Sequence, residues 1–236
     1  MHLTPASGRL TLSAILTLSA LLALSACGGA EDAGTPAPEV IENFSLQAPY
    51  IQRLSAATSV KFIVSGDCGG TATLSSGTPA PAVFETLAVY GYTQTFVSAL
   101  TDCTLSSVVS TVNRYADAKF NPLGSLTPSL EYAVYNTAPV ALPDTVKAGD
   151  TAIWATHKVY ADSSKKTVTG ERVFSWVIEA EANDTVVANF IVRDYDTKKV
   201  LLLTEQTRYR LGAEASIELL SIDQQTATNH LLYTAL

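Results

Sequence analysis

Residues 173–180, Val173-Phe174-Ser175-Trp176-Val177-Ile178-Glu179-Ala180, alternate with a period of two. Phe174, Trp176, Ile178 and Ala180 fall on one face of an extended chain, and Val173, Ser175, Val177 and Glu179 on the other. Successive strand side chains point to opposite faces, so an apolar face backed by a mixed one predicts a strand laid on a core. The same pattern spreads outward from this stretch. Strand runs are predicted at Thr151–Tyr160, Thr167–Glu181, Thr185–Asp194, Val200–Leu211 and Ser216–Asp223, with Leu231–Leu236 as a last edge strand. The turns between the first five are short and polar: Asp162-Ser163-Ser164, Ala182-Asn183-Asp184, Asp196-Thr197-Lys198 and Gly212-Ala213-Glu214. Connections this short force neighbouring strands antiparallel, so residues 145–236 read as a curved antiparallel β-meander. Leu201, Leu203, Tyr209 and Leu211 share their face with Glu205 and Thr207. That mixture predicts a strongly curved sheet, or one whose second side is partly covered.

Upstream the period is also two. Val60, Phe62 and Val64 alternate with Ser59, Lys61 and Ser65, and strand-like runs follow at Thr71–Ser75, Val83–Val89, Tyr92–Leu100 and Ser107–Tyr115. Residues 116–149 are punctuated by Pro122, Gly124, Pro128, Pro139, Pro143 and Gly149, leaving only Tyr132–Tyr135 strand-like. The Pro-rich exit from Ala138 to Asp144 marks a domain boundary or a crossover. Between Ile41 and Leu54 the apolar spacing partly fits one helical face, and Pro49 restricts any helix to a short one, packed on the following sheet. The expected fold is all-β and mainly antiparallel: an N-terminal β region with a short helix over residues 41–140, then the meander. Abundant Val, Thr, Tyr, Ser and Leu, with few Glu, Lys and Met, agree.

The first 26 residues have a different character. A short opening with one charge, Arg9, leads into an apolar and small-residue run from Leu10 to Leu24. Fifteen residues dotted with Ser and Thr are short for a membrane span, which needs about 20 apolar residues, and suit a secretory signal. The tetrapeptide Leu24-Ser25-Ala26-Cys27 resembles the lipobox of bacterial lipoproteins. The resemblance implies a diacylglycerol on the Cys27 sulfur, cleavage just before it, and a membrane anchor for the rest of the chain. Several acyl chains anchor stably where one binds only marginally. Gly28, in place of the Asp that tends to retain such proteins at the inner membrane, implies the periplasmic side of the outer membrane. Residues 27–40 hold no large apolar side chain before Val40 and read as a flexible tether.

The full chain carries 15 Lys and Arg against 22 Asp and Glu, a net charge of −7 that becomes −8 once Arg9 leaves with the signal. No basic run exceeds two residues, as at Lys165-Lys166 and Lys198-Lys199, so there is no electrostatic footprint for nucleic acid. With Cys27 assigned to lipid, Cys68 and Cys103 remain as an even pair in an oxidising compartment, and a disulfide between them is expected.

Candidate chemistry is sparse. No G-x-S-x-G elbow, P-loop, dinucleotide fingerprint, H-E-x-x-H or calcium loop is present, and only His157 and His230 follow the signal, so no metal site or cofactor is expected. His157 reads as a half-buried strand histidine, or alternatively as a base. Asp194-Tyr195-Asp196 reads as turn chemistry, or alternatively as a paired-carboxylate site. Glu205, Arg208 and Arg210 read as cross-strand ion pairs on a wet face. The aromatic residues of the meander, Trp154, Phe174, Trp176, Phe190 and Tyr209, fill a core or line an apolar pocket on its concave side.

The lipobox start, "VSGDCGGTAT", "LTDCT", "GDTAIWATHKVYADS" and "LLTEQTRYRL" followed by "SID" together resemble a family of uncharacterised betaproteobacterial lipoproteins. The resemblance implies an anchor, the Cys68–Cys103 pair and a β fold, and brings no activity with it. The expected function is therefore that of a lipid-anchored envelope protein without catalysis, presenting a β surface for binding or structural contact to an envelope protein. A carrier of small apolar, lipid-like ligands on the concave face is the alternative, and a hydrolase comes third.

Overall fold

A computed structural model describes residues 43–236 apart from residues 106, 183 and 213. The lipobox residues Leu24, Ser25, Ala26 and Cys27 and the tether lie outside the described residues. The elements, in chain order, begin with β1 (Phe44–Ser45), α1 (Gln47–Leu54), β2 (Thr58–Gly66), β3 (Gly69–Ser76), β4 (Ala80–Phe84), β5 (Leu87–Thr101), β6 (Val108–Ala116), β7 (Pro122–Thr127) and β8 (Glu131–Thr137). They continue with β9 (Thr145–Val146), β10 (Thr151–Tyr160), β11 (Val168–Ala182), β12 (Thr185–Asp196), β13 (Leu201–Gly212), β14 (Ile217–Thr226) and β15 (His230–Ala235). The fold is all-β and antiparallel, as the alternation implies.

The meander is present as read, each strand from β10 to β15 hydrogen-bonding the next. It does not stop at an edge. β15 pairs with β2 through Leu231↔Gly66 to Ala235↔Phe62, and β3 pairs with β5 through Gly69↔Thr101 to Ser76↔Gln94. Those two ladders close a ring of 12 strands in the order β3, β2, β15, β14, β13, β12, β11, β10, β8, β7, β6, β5. Closure leaves none of the 12 ring strands as an outer edge, the strongest reason for a sheet this long to curl. The strands β2–β8 and β10–β15 thus supply walls of the same barrel, with the Pro-rich stretch and β9 running between β8 and β10. β4 continues β3 along the same edge of β5 after a break at Gly77-Thr78-Pro79. β1 pairs only with β9, Phe44 opposite Val146.

The facing rows follow from the registers. Trp176 pairs with Phe190 and Phe174 with Val192, so these side chains point inward together. Outward rows carry the ion pairs Arg208–Glu179, Arg210–Glu181, Arg210–Glu218 and Lys199–Glu171. Inside, a core of Phe44, Leu46, Leu142, Val146, Trp176, Ile178, Val186 and Leu211 fills one end. A second core, centred on Phe62, Val64, Leu219, Ile222 and Tyr233, lies where β15 meets β2.

α1 packs on the sheet as expected, and does so from inside the barrel: Tyr50 lies 5.0 Å from the Phe190 ring and 5.6 Å from Trp154. Pro49 sits in the first turn of α1, where its missing N–H costs nothing. The stretch 116–149, read as irregular, contains β7, which begins at Pro122 because a strand's first residue tolerates proline. Gly124 within β7 is a packing requirement, since a Cβ there would overlap the Phe84 ring and the Ala133 carbonyl.

The turns at 67–68, 128–130, 161–167, 197–199 and 227–229, with the β5–β6 connection around Cys103, share one end of the barrel, while α1 enters from the other. Cys68 and Cys103 are joined at the first end, with Cα atoms 5.1 Å apart, tying the β2–β3 turn to the β5–β6 turn.

Candidate functional site

The site is the barrel's interior. Inward-pointing positions of a 12-strand barrel enclose more space than apolar side chains fill, and the remaining space here is bordered by an ordered sequence of chemistries.

Nearest α1 the lining is aromatic. Tyr50 stacks on Phe190, meets Trp154 and Tyr209 edge-on, and Phe190 also meets Tyr209 edge-on at 5.8 Å. Such edge-to-face sets hold their rings in fixed orientations. Trp154 sits at a β-bulge between Ile153 and Ala155, which turns its ring inward, and its Nε1 donates to Asn121 Oδ1 at 3.0 Å. Arg53 of α1 lies over the Tyr209 ring, 5.3 Å from its centroid. These rings border a cavity of about 310 Å³, which extends past Phe96 and Tyr92. Burial holds the hydroxyl protons of Tyr50, Tyr92 and Tyr209 more tightly than usual, so all three stay neutral donors.

Further along the lumen the lining turns polar. Arg114 of β6 and Glu205 of β13 border this cavity and also a second one of about 260 Å³. Arg114 Nε donates to Gln94 Oε1 at 3.0 Å, and Gln224 Nε2 donates to Glu205 Oε2 at 2.8 Å. The second cavity ends at a paired cation. Arg172 donates from Nε to Asp194 Oδ1 at 2.6 Å and from Nη1 to Glu131 Oε1 at 2.9 Å. The Arg172 side chain is only 11% exposed, and its carboxylate partners raise its affinity for the proton despite burial.

His157 stands between the two regions. It is 1% exposed, tilted against the Phe174 ring at 4.6 Å, and its Nε2 donates to the Pro122 carbonyl at 3.0 Å. Burial, reinforced by the Arg172 and Arg114 cations, pushes its pKa down to about 4, so the ring is neutral with the proton on Nε2. Nδ1 has no hydrogen-bond partner among the described residues.

The residues singled out from the sequence separate accordingly. Trp154, Phe174, Phe190 and Tyr209 border the first cavity, whereas Trp176 is packed in the core beside it. His157 is fully buried instead of half-buried, because it points into the closed barrel, while the outer face of β10 stays exposed at Ile153 and Lys158. Asp194 and Asp196 do not form a pair: Asp194 serves Arg172, and Asp196 Oδ1 accepts from the Lys198 and Val200 amides in a turn. Arg208 and Arg210 pair on the outer face as expected, but Glu205, of opposite parity, points into the lumen. Among the described residues no three His, Cys, Asp or Glu side chains converge as a metal site. Sequence reasoning missed Tyr50, Tyr92, Gln94, Arg114, Glu131 and Gln224. Their only signal is a polar residue on the face that otherwise alternates apolar, and that has meaning only once the barrel is known to close.

Compared with known proteins, the chain matches no family model, no curated protein and no solved structure.

Proposed function

We propose that this is a binding protein without catalysis, whose barrel lumen holds a small organic ligand with an aromatic or apolar body. One observation carries the reading. The α1 end of the lumen is walled by the mutually oriented rings of Tyr50, Trp154, Phe190 and Tyr209, and a cavity of about 310 Å³ is left among them. Packed interiors leave few voids larger than a water molecule, and small-ligand sites start at about 300 Å³. The lining suits recognition better than reaction: the one buried histidine is neutral, locked against a carbonyl, and its free nitrogen faces no nucleophile among the described residues. The anchor belongs to the same proposal. The signal and Leu24-Ser25-Ala26-Cys27 support a barrel tethered by lipid on the periplasmic side of the outer membrane, collecting its ligand within reach of that membrane.

The test uses N-phenyl-1-naphthylamine, a neutral aromatic probe that fluoresces when shielded from water. Saturable enhancement with the purified mature protein, weakened by Phe190→Ala, is expected. No enhancement at millimolar protein would overturn the reading.

A further inference from the structure

The structure assigns a ligand class to the lumen's waist: a small ampholyte, carrying an anionic group for Arg114 and a cationic group for Glu205 on one aromatic body. This rests on the lumenal binding reading and refines it.

The first observation is placement. Around the ring of 12 strands, β6 and β13 are six steps apart in either direction, so Arg114 and Glu205 project from opposite walls. Both cavities are bordered by both residues, so the space between the two charges is open to a ligand from either side.

The second observation is that each charge is positioned without being neutralised. A glutamine on the neighbouring strand holds each: Gln94 of β5 accepts from Arg114, and Gln224 of β14 donates to Glu205. Among the described residues neither makes an ion pair within 4.0 Å. Arg172, in the same lumen, shows how this barrel silences a guanidinium, with two carboxylates on its fork. At Arg114 only Nε is engaged, which leaves the terminal N–H groups directed at no acceptor among the described residues, and Glu205 Oε1 likewise accepts from none of them.

Both side chains are half-buried, and a charge partly withdrawn from water without a counter-ion loses hydration that nothing replaces. A ligand that brings both signs relieves both. A dianion would meet Glu205 as a like charge, and a purely apolar molecule would leave two charges desolvated. The hydroxyls of Tyr50, Tyr92 and Tyr209 border the same cavity as neutral donors and acceptors, and their rings accept the body. The cavity of about 310 Å³ lies at the small end of the range for organic-ligand sites, which suits a compact aromatic body.

The experiment keeps one body and varies the head. Indole, indole-3-propionate, tryptamine and tryptophan are titrated into the purified mature protein, alone and in competition with N-phenyl-1-naphthylamine. Tryptophan is expected to bind at least tenfold tighter than indole, with the two singly charged compounds between them, since each charge-assisted hydrogen bond contributes roughly a factor of ten. Arg114→Gln is expected to weaken indole-3-propionate and tryptophan about tenfold and leave tryptamine unchanged, and Glu205→Gln to weaken tryptamine and tryptophan about tenfold and leave indole-3-propionate unchanged. Equal affinity for all four compounds in the wild type overturns the assignment without any variant, so a variant that does not fold leaves the test intact. If N-phenyl-1-naphthylamine binds while the head series shows no discrimination, the ampholyte assignment fails and lumenal binding stands. If neither it nor indole enters, the binding reading itself fails.

Discussion

Arg172 and Asp194 face each other across β11 and β12 in a two-pronged pair, Nε to Oδ1 at 2.6 Å and Nη2 to Oδ2 at 2.7 Å. Glu131 of β8 reaches the same guanidinium from the far side of β10, at 2.9 Å and 3.3 Å. A parallel fork of this kind is the strong form of the ion pair, and here it is largely shielded from water. Breaking it from the arginine side leaves two carboxylates enclosed together. Arg172→Met is therefore expected to lower unfolding free energy by about 3–5 kcal/mol. Adding Asp194→Leu and Glu131→Gln to that variant should restore at least half of the loss. Urea denaturation of the three proteins checks this, and a single-variant loss below about 1 kcal/mol would contradict the geometry.

His157 sets an acid limit. Its pKa is depressed to about 4 in the fold, against about 6.5 in an unfolded chain. Its contribution to stability is fully present above pH 6.5. It declines as pH falls towards 4, because in that window only the unfolded chain takes up the proton. The loss from this group is on the order of 3 kcal/mol over the window. His157→Leu should flatten that part of the stability profile relative to the wild type, as read by urea midpoints between about pH 7 and pH 4. Parallel profiles would show that the ring protonates without unfolding.

The Cys68–Cys103 bridge lies beside the ladder that closes the barrel, where Gly69 pairs with Thr101. The bonded residues are 35 apart in sequence, so the cross-link removes about 3–4 kcal/mol of unfolded-chain entropy. Cys68→Ala with Cys103→Ala should lower the melting temperature in oxidising buffer and match the reduced wild type in dithiothreitol. A difference that persists in reductant would place the effect in packing.

Cys27→Ala tests the proposed anchor. In a Gram-negative host the variant should lose incorporation of labelled palmitate and leave the membrane fraction after lysis. Labelling that persists would assign the acyl group to another residue.

Much of the architecture was legible in the residues. The period of two from Thr151 to Asp223 and the short polar turns located five long strands and their antiparallel order, because hairpin turns leave no other topology. The cysteine pair was legible from the two cysteines left once Cys27 is read as the lipid-bearing residue of an exported chain. β7 was not, since Pro122 and Gly124 look like breakers until Phe84 and the Ala133 carbonyl are seen to occupy the space a side chain would need. Tyr50 was legible as part of a short helix, but not as a lumen residue.

The part that the sequence determined alone is therefore local: which residues extend, which faces are apolar, and where the chain turns. Alternation and turn chemistry act over a few residues and leave their mark there. Tertiary structure decided which face became an interior, because only the closing ladders β15–β2 and β3–β5 turn one side of the sheet into a lumen. Glu205 and Arg114 illustrate the difference. Separately they read as polar interruptions of apolar rows, and they become facing walls of one cavity only when positions 91 residues apart are carried to opposite sides of a ring.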